Sequence, residues 1–190
     1  MTELDVVNEM LGTMGEAPLA TLTAPHALRG SAQRTLRLVN DELQSLGWWF
    51  NRETLKLSPS NVDGTVYLPG DFLGVRVPHG STAVERAGRL YDTAAGDWLR
   101  KEITVELVRR VAFADAPYPA RAAIGAEAIK KFQRNYDGDT TKTRDIREEY
   151  AAAIAQLRAE ETRQVKANRI ASHPRLSYLK SRVFARRWGG

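Results

Sequence analysis

The spacing of the apolar residues changes twice along this chain of 190 residues, and that change limits the folds open to it. Apolar residues recur every three to four positions before Gly47 and again after Phe113, which is typical of amphipathic helices. Between these two points apolar and polar residues alternate, as they do in half-buried strands. We therefore predict an α+β fold, mainly α: a four-helix bundle with an inserted small antiparallel β-sheet and an extended C-terminal arm.

Two helices are predicted before the sheet, and each has one continuous apolar stripe. The stripe of the first helix consists of Leu4, Val7, Met10, Leu11 and Met14. Thr2 can cap the start of this helix, and Gly15 can adopt the left-handed conformation that often follows a helix. The second stripe runs from Leu28 to Leu46, and Gly47 is expected to end that helix. We interpret both stripes as core faces.

Strand signals lie between residues 48 and 113. The alternation is clearest over residues 103–107, and residues 66–68 show it over a shorter stretch. Single glycines and Pro-Gly pairs separate these runs, as expected for turns. This pattern predicts one small antiparallel sheet, formed by an inserted β module of residues 48–113.

Helical spacing returns after Pro119. This proline is itself a signal for the start of a helix, because proline is well placed in the first turn. The predicted inward side chains of a third helix are Ala122, Ala126, Ile129, Phe132 and Tyr136, and those of a fourth are Ile146, Tyr150, Ile154 and Leu157. The outer face of the fourth helix is expected to carry ion pairs among Arg144, Glu148, Arg158 and Glu161. Segments 1–47 and 114–170 are therefore predicted to form the helical bundle.

The charges are distributed unevenly along the chain, although the formal net charge is only +5. Residues 1–24 contain four acids and no base, and no acid follows Glu161. Residues 171–190 are predicted to form a basic arm in which the charged and aromatic candidates for binding are Arg175, Tyr178, Lys180, Arg182, Phe184, Arg186, Arg187 and Trp188. Such an arm is expected to dock on a negatively charged partner, either an acidic protein surface or a nucleic acid.

The residue types that carry catalysis are not arranged for it. The chain has no cysteine, and its three histidines lie far apart beside prolines or turns, so no metal site is expected. No nucleophile elbow, phosphate loop or dinucleotide fingerprint occurs. We expect no catalytic, cofactor-binding or metal residues and no enzyme activity. The acidic N-terminal segment and the lack of an apolar run of about 20 residues also predict no membrane association.

Three consecutive aromatic residues, Trp48, Trp49 and Phe50, mark the predicted junction of helix and sheet. In an alternating strand Trp48 and Phe50 would face one side and Trp49 the other. We interpret the group as core packing, with a contact between subunits as the alternative for Trp49, because large aromatic side chains are favoured at interface centres.

Several segments resemble, in the same order, the tail tubular protein A family of short-tailed, podovirus-type bacteriophages. They are residues 6–11, residues 15–18, Gly-Trp-Trp-Phe-Asn at 47–51, Leu-Tyr-Asp at 90–92, residues 113–117 leading into a helix with Ala128, Phe132 and Gln133, and residues 148–153. The resemblance extends from about residue 4 to about residue 165, and Gly-Trp-Trp-Phe-Asn is its most specific motif. The arm is the least similar part.

The resemblance implies a structural virion protein: a head-to-tail adaptor that forms a dodecameric ring between the portal protein and the tail nozzle, tail tubular protein B. Genomic DNA would pass through the ring's channel during ejection without sequence-specific binding, and tail fibres in many relatives attach near the adaptor–nozzle junction. The protein would be made in the host bacterial cytoplasm and reside in the virion neck, with the arm binding the portal. The residues alone leave two alternatives. One is a nucleic-acid-binding protein that uses its basic aromatic arm. The other is an enzyme of unrecognised type, against which the missing catalytic constellation argues.

Overall fold

The computed structural model describes residues 1–136 and 140–172 of the chain. Within these residues, four α-helices and six short strands follow one another in the order helix, helix, six strands, helix, helix, with a short 3-10 helix, Phe113–Asp115, before the third α-helix. The helices are α1 (Glu3–Thr13), α2 (Arg29–Ser45), α3 (Tyr118–Tyr136) and α4 (Thr140–Ser172). The strands are β1 (Arg52–Leu57), β2 (Phe72–Arg76), β3 (Ala83–Arg86), β4 (Arg89–Asp92), β5 (Asp97–Trp98) and β6 (Ile103–Arg109). The predicted α+β fold with four helices is thus confirmed.

The ends of α1 are those that its sequence predicts. The hydroxyl of Thr2 accepts a hydrogen bond from the N–H of Asp5, and the Asp5 carboxylate accepts one from the N–H of Thr2 at 2.6 Å. This reciprocal pair is a capping box, which satisfies two N–H groups that a helix start leaves without partners. Gly15 follows the helix with a φ of +75°, a conformation that costs glycine little.

The helices share one apolar core, in which α3 contacts each of the other three. The buried face of α3 contains Ala120, Ala123, Ile124, Gly125, Ala128 and Phe132. The predicted face was therefore wrong for Ala122 and Ala126, which are only partly buried, and for Tyr136, which is 49% exposed. A side chain at Gly125 would collide with Val6 and Met1, so this glycine allows α1 to approach α3 closely. Since α4 packs chiefly along α3, a four-helix bundle stays a prediction.

The strands form two sheets, so the prediction of a single sheet was wrong. One sheet has the order β1-β6-β2 and the other the order β3-β4-β5, and all neighbouring strands are antiparallel. Residues 66–68, predicted as a strand, belong to neither sheet, although Tyr67 forms an isolated bridge with Arg89 and Val66 makes backbone hydrogen bonds with Leu90 and Leu99. Alternation marks a strand's buried face but carries no information about which strands pair, and therefore it could not separate the two sheets.

A second apolar core lies between the two sheets. Its buried members are Leu57, Val66, Leu68, Ala83, Leu90, Leu99, Val105 and Leu107. None of these residues belongs to the helical core, whose buried side chains come from residues 6–48 and 113–157. The chain therefore folds around two centres, and the connection between them is made where α2 leads into β1 and where β6 leads into α3.

Candidate assembly site at the helix–sheet junction

The aromatic segment of residues 48–50 forms a tight turn between α2 and β1. The N–H of Asn51 donates to the carbonyl of Trp48 at 3.2 Å, and Gly47, with a φ of +76°, redirects the chain after the helix. The expectation of an alternating strand here was therefore wrong, because Gly47 starts a turn and the sheet ladder begins only at Arg52.

The turn directs its aromatic rings toward the helical core. Trp48 is buried, and its indole N–H donates to the carbonyl of Leu43 at 2.7 Å, so its one polar atom is satisfied. Trp49 and Phe50 are half-buried against the same core, with their rings edge to face at 5.3 Å between centroids. A contact of Trp49 with another subunit stays a prediction.

Asn51 joins α2, the turn and β6 through its buried side chain, which is 1% exposed. Its amide nitrogen donates to the carbonyls of Gln44 and Arg109, both at 3.0 Å. Its amide oxygen accepts the N–H of Trp48 at 2.8 Å. Because each bond reaches a different segment, this residue helps to fix the position of the helical core relative to the sheets.

Gln44 makes the second connection, from α2 to the segment between β6 and α3. Its side chain is fully buried, accepts the N–H of Val111 at 2.8 Å and donates to the carbonyl of Val111 at 2.7 Å. It also donates to the Asn40 side chain at 2.9 Å. Sequence reasoning missed both amides, yet a signal existed: Asn40 and Gln44 follow Leu36 at intervals of four and so lie on the apolar stripe of α2.

Glu161 attaches α4 to the aromatic turn. One carboxylate oxygen accepts the N–H of Trp49 at 2.7 Å, and the other pairs with the guanidinium of Arg52 at 2.5 Å. Both side chains of the ion pair are only about a quarter exposed, at 22% for Glu161 and 25% for Arg52. The prediction that Glu161 pairs along the outer face of its own helix was wrong, because this residue lies where α4 passes the turn. The pair of Arg144 with Glu148, by contrast, is present at 3.3 Å.

Polar side chains also hold α4 against α3. The ammonium group of Lys130 lies 3.7 Å from the centre of the Tyr150 ring and pairs with Glu127. Burial raises the pKa of the Tyr150 phenol, and the negative charge of Glu127 raises it further. The phenol therefore stays neutral and can remain in this partly buried contact.

A groove of about 550 Å³ lies beside the junction, between α1, α2 and the segment after β6. Its lining combines apolar residues such as Val7 and Phe113 with Arg37 and Glu3. At its edge the guanidinium of Arg110 makes two bonds to the Asp41 carboxylate, at 2.8 and 2.9 Å. This bidentate pair again joins α2 to the segment that follows β6.

The described residues offer little for metal or proton chemistry. Within 1–136 and 140–172 no three His, Asp or Glu side chains are grouped to hold a metal ion. His26 accepts the N–H of Leu28 at 3.1 Å and lies 3.5 Å from Glu16, so it is part of a loop contact. No helix in the described part of the chain is long and apolar enough to cross a membrane.

The predicted portal-binding residues lie outside the described part of the chain, because that part ends at Ser172. They are Arg175, Tyr178, Lys180, Arg182, Phe184, Arg186, Arg187 and Trp188. Of the predicted binding and packing residues, the structure therefore places Trp48, Trp49 and Phe50, and it shows that Asn51, Gln44 and Glu161 hold this turn.

A model of a known protein family matches most of this chain. The model of the family described as tail tubular protein matches residues 4–167. This range contains both sheets, α2, α3, α1 without its first residue and α4 without its last five residues. The search of curated proteins found no match. Tail tubular proteins are structural components of phage virions. Since the match extends over most of the chain and contains the whole junction, this chain belongs to the tail tubular protein family.

Proposed function

We propose that this tail tubular protein is the head-to-tail adaptor of a short-tailed phage, and that it forms a dodecameric ring between the portal protein and the tail nozzle, tail tubular protein B. The family match over residues 4–167 is the observation that carries this proposal. The ring would surround a channel through which the genome leaves the head, without sequence-specific contacts to the DNA. Its place would be the neck of the virion, after synthesis in the host bacterial cytoplasm.

A ring of this kind needs two different surfaces on each subunit, since a closed ring is built from heterologous contacts. The two apolar cores support such an arrangement. We assign residues 1–47 and 114–170 to a helical part and residues 48–113 to a β module, and the helices would form the bundle. Each part offers a different surface to the neighbouring copies, to the nozzle and to tail fibres that attach near the adaptor–nozzle junction.

The arm, residues 171–190, is assigned to the portal. Its arginines and lysine, Arg175, Lys180, Arg182, Arg186 and Arg187, would pair with acids on the portal. Tyr178, Phe184 and Trp188 would serve as anchors, because aromatic side chains and arginine are enriched among residues that dominate binding energy. The attachment of α4 to the junction through Glu161 supports this role, since it gives the helix that leads into the arm a defined position.

Mixing the purified subunit with portal rings of its own phage, followed by electron microscopy, tests the proposal. A coaxial ring of added density below the portal is the expected result. A portal without added density would contradict the adaptor function. Deleting residues 173–190 should abolish portal binding while the far-UV circular dichroism of the helices is retained, and full binding by the truncated chain would contradict the role of the arm.

A measurement of DNA binding at several salt concentrations, made beside this experiment, separates the adaptor from a nucleic-acid-binding protein that uses the arm. Binding to DNA through lysine and arginine releases counterions, so its affinity falls steeply with salt concentration. A chain that adds no density to the portal, but binds DNA with such a salt dependence, would establish that function instead. The basic sequence, with a pI near 9.6, is the observation that keeps this second function in the test.

A further inference from the structure

The second sheet, β3-β4-β5, has one face in the core and one face in solvent. Ala83 and Leu90 point inward and are buried at 4% and 0% exposure. Successive side chains of a strand point to opposite sides, so their neighbours form the outer face. This outer face consists of Val84, Arg86, Arg89, Tyr91 and Trp98, extended by Tyr67 at the bridge to Arg89.

Arginine and aromatic side chains are stacked across this outer face. The guanidinium of Arg86 lies 3.9 Å from the centre of the Tyr91 ring, and that of Arg89 lies 4.0 Å from the Trp98 ring. Tyr91 and Trp98 meet edge to face at 5.6 Å. Trp, Tyr and Arg are the residue types enriched in the centres of protein interfaces.

Hydrogen bonds from the neighbouring loop hold the edge of the face in place. The carboxylate of Asp63 accepts the hydroxyl of Tyr67 at 2.8 Å and the N–H of Thr65 at 3.0 Å, and it lies 3.8 Å from Arg89. Tyr67 nevertheless remains 49% exposed and Val84 39% exposed. An ordered face loses little side-chain freedom on binding, and this lowers the entropic cost of association.

The arrangement favours a protein partner over a nucleic acid. Bases bind by stacking on open aromatic faces, but Arg86 and Arg89 already lie over the rings of Tyr91 and Trp98. Arg86 has no acidic ion-pair partner in the part of the chain that the structure describes, so it is available to a carboxylate of another protein.

The chain itself supplies a complementary surface on α1. Asp5 and Glu9 are exposed, lie one turn apart on the same side of the helix, and belong to a segment that has no lysine or arginine before Arg29. Asp5 caps the helix and lies 4.0 Å from the terminal amine of Met1, whereas Glu9 has no ion-pair partner among the described residues. This surface belongs to the helical part, whereas the arginine-aromatic face belongs to the sheets. A contact between the two would join unlike patches of successive copies, as a ring requires.

We propose that the outer face of the second sheet, centred on Arg86, Tyr91 and Trp98, binds the acidic face of α1, with Asp5 and Glu9, in the neighbouring copy. This inference rests on the proposed ring. Arg86 would pair with a carboxylate of α1, while the aromatic side chains would cover its exposed surface. The contact would fix the orientation of each copy relative to its neighbour, because the opposite charges meet only in the head-to-tail arrangement.

Charge reversal and its compensation test the contact. Arg86→Glu and Glu9→Arg should each lower the yield of complete rings on the portal about tenfold or more at physiological salt, and the double variant should recover most of it. Lys101→Glu is the matched control: it makes the same charge change on an exposed residue of the same module and should assemble like the unmodified chain. Circular dichroism verifies that every variant is folded.

The outcomes separate this contact from the adaptor function. Unmodified protein that forms rings, together with Arg86→Glu that forms them equally well, would overturn the contact and leave the adaptor function standing. A double variant no better than the single variants would also overturn it. So would an Arg86→Glu variant that assembles normally but loses binding to a single-stranded oligonucleotide, since the face would then be a nucleic-acid site.

If the unmodified chain forms no ring on the portal, the adaptor function fails and the contact is tested by cross-linking. The chain has no cysteine, so Val84→Cys and Gly12→Cys variants of different length each carry a single thiol. Both sites are exposed, and a side chain at Gly12 meets nothing within 4 Å. Random pairing in an equimolar mixture gives about twice as much mixed dimer as either symmetric dimer. The contact predicts a mixed dimer well above this ratio, and a ratio at the random value would overturn the contact.

Discussion

Replacing Asn51 with alanine removes one of the connections between the helical core and the sheets. The variant loses three hydrogen bonds, to Trp48, Gln44 and Arg109, in a place where the side chain is 1% exposed. A buried hydrogen bond contributes about 1 kcal/mol net, and the groups left behind cannot reach water easily. We therefore expect the free energy of unfolding to fall by about 3 kcal/mol.

Urea denaturation followed by far-UV circular dichroism measures this change, and the thermal midpoint should fall by about 6–12 °C for a chain of this size. Asn61→Ala is the matched control, because Asn61 is exposed and the same substitution there should change stability by less than about 0.5 kcal/mol. A loss for Asn51→Ala below about 1 kcal/mol, or equal to that of the control, would refute the structural role of this side chain.

Three further changes test other parts of the junction and the β module. Glu161→Ala leaves the N–H of Trp49 and the guanidinium of Arg52 without their acceptor, so we expect a loss of about 2 kcal/mol in urea denaturation, against about 0.5 kcal/mol or less for the exposed Glu148→Ala. Gly47→Ala should lower the free energy of unfolding by about 1–2 kcal/mol, because φ is positive here and the added Cβ would lie 3.0 Å from the Val108 side chain. Gly12→Ala, in an open helical position, should instead stabilise the chain slightly. The N–H of Thr65 and the hydroxyl of Tyr67 hold the pKa of Asp63 below its usual range. Its contribution to stability is therefore complete at neutral pH and lost as the pH falls below about 4, and Asp63→Asn should flatten this part of the stability–pH curve.

Local signals predicted the helices well because their causes are local. The capping box of α1 needs only Thr2 and Asp5, and the apolar stripes of α1 and α2 are long enough to show one face. The α3 face was predicted less well, since its buried residues are mostly alanine and glycine. Small side chains occur on both faces of this helix, so the apolar period was ambiguous between Ala122 and Ala123.

The pairing of strands and the junction could not be predicted, because both depend on residues far apart in sequence. Gln44 and Val111 are 67 residues apart, and Trp49 and Glu161 are 112 residues apart. A glutamate on a helix with many charges is expected in solvent, and only the path of α4 past the turn gives Glu161 its partners. The aromatic segment was found from the sequence, but the bonds by which Asn51 and Glu161 hold it were not.

The position of Glu161 connects the stability of the junction with the proposed function of the arm. Helix α4 continues for 11 residues beyond Glu161 to Ser172, which corresponds to about 17 Å at the rise of an α-helix. A helical segment of that length moves as a rigid body. A small rotation of α4 at the turn therefore displaces its C-terminal end by several ångströms. If the arm binds the portal, all copies must present it in the same direction.

Glu161→Ala should therefore reduce portal binding at temperatures where the subunit is still fully folded, while truncation of the arm would leave the junction unchanged. Normal portal binding by a folded Glu161→Ala variant would show that the arm finds its site without guidance from α4.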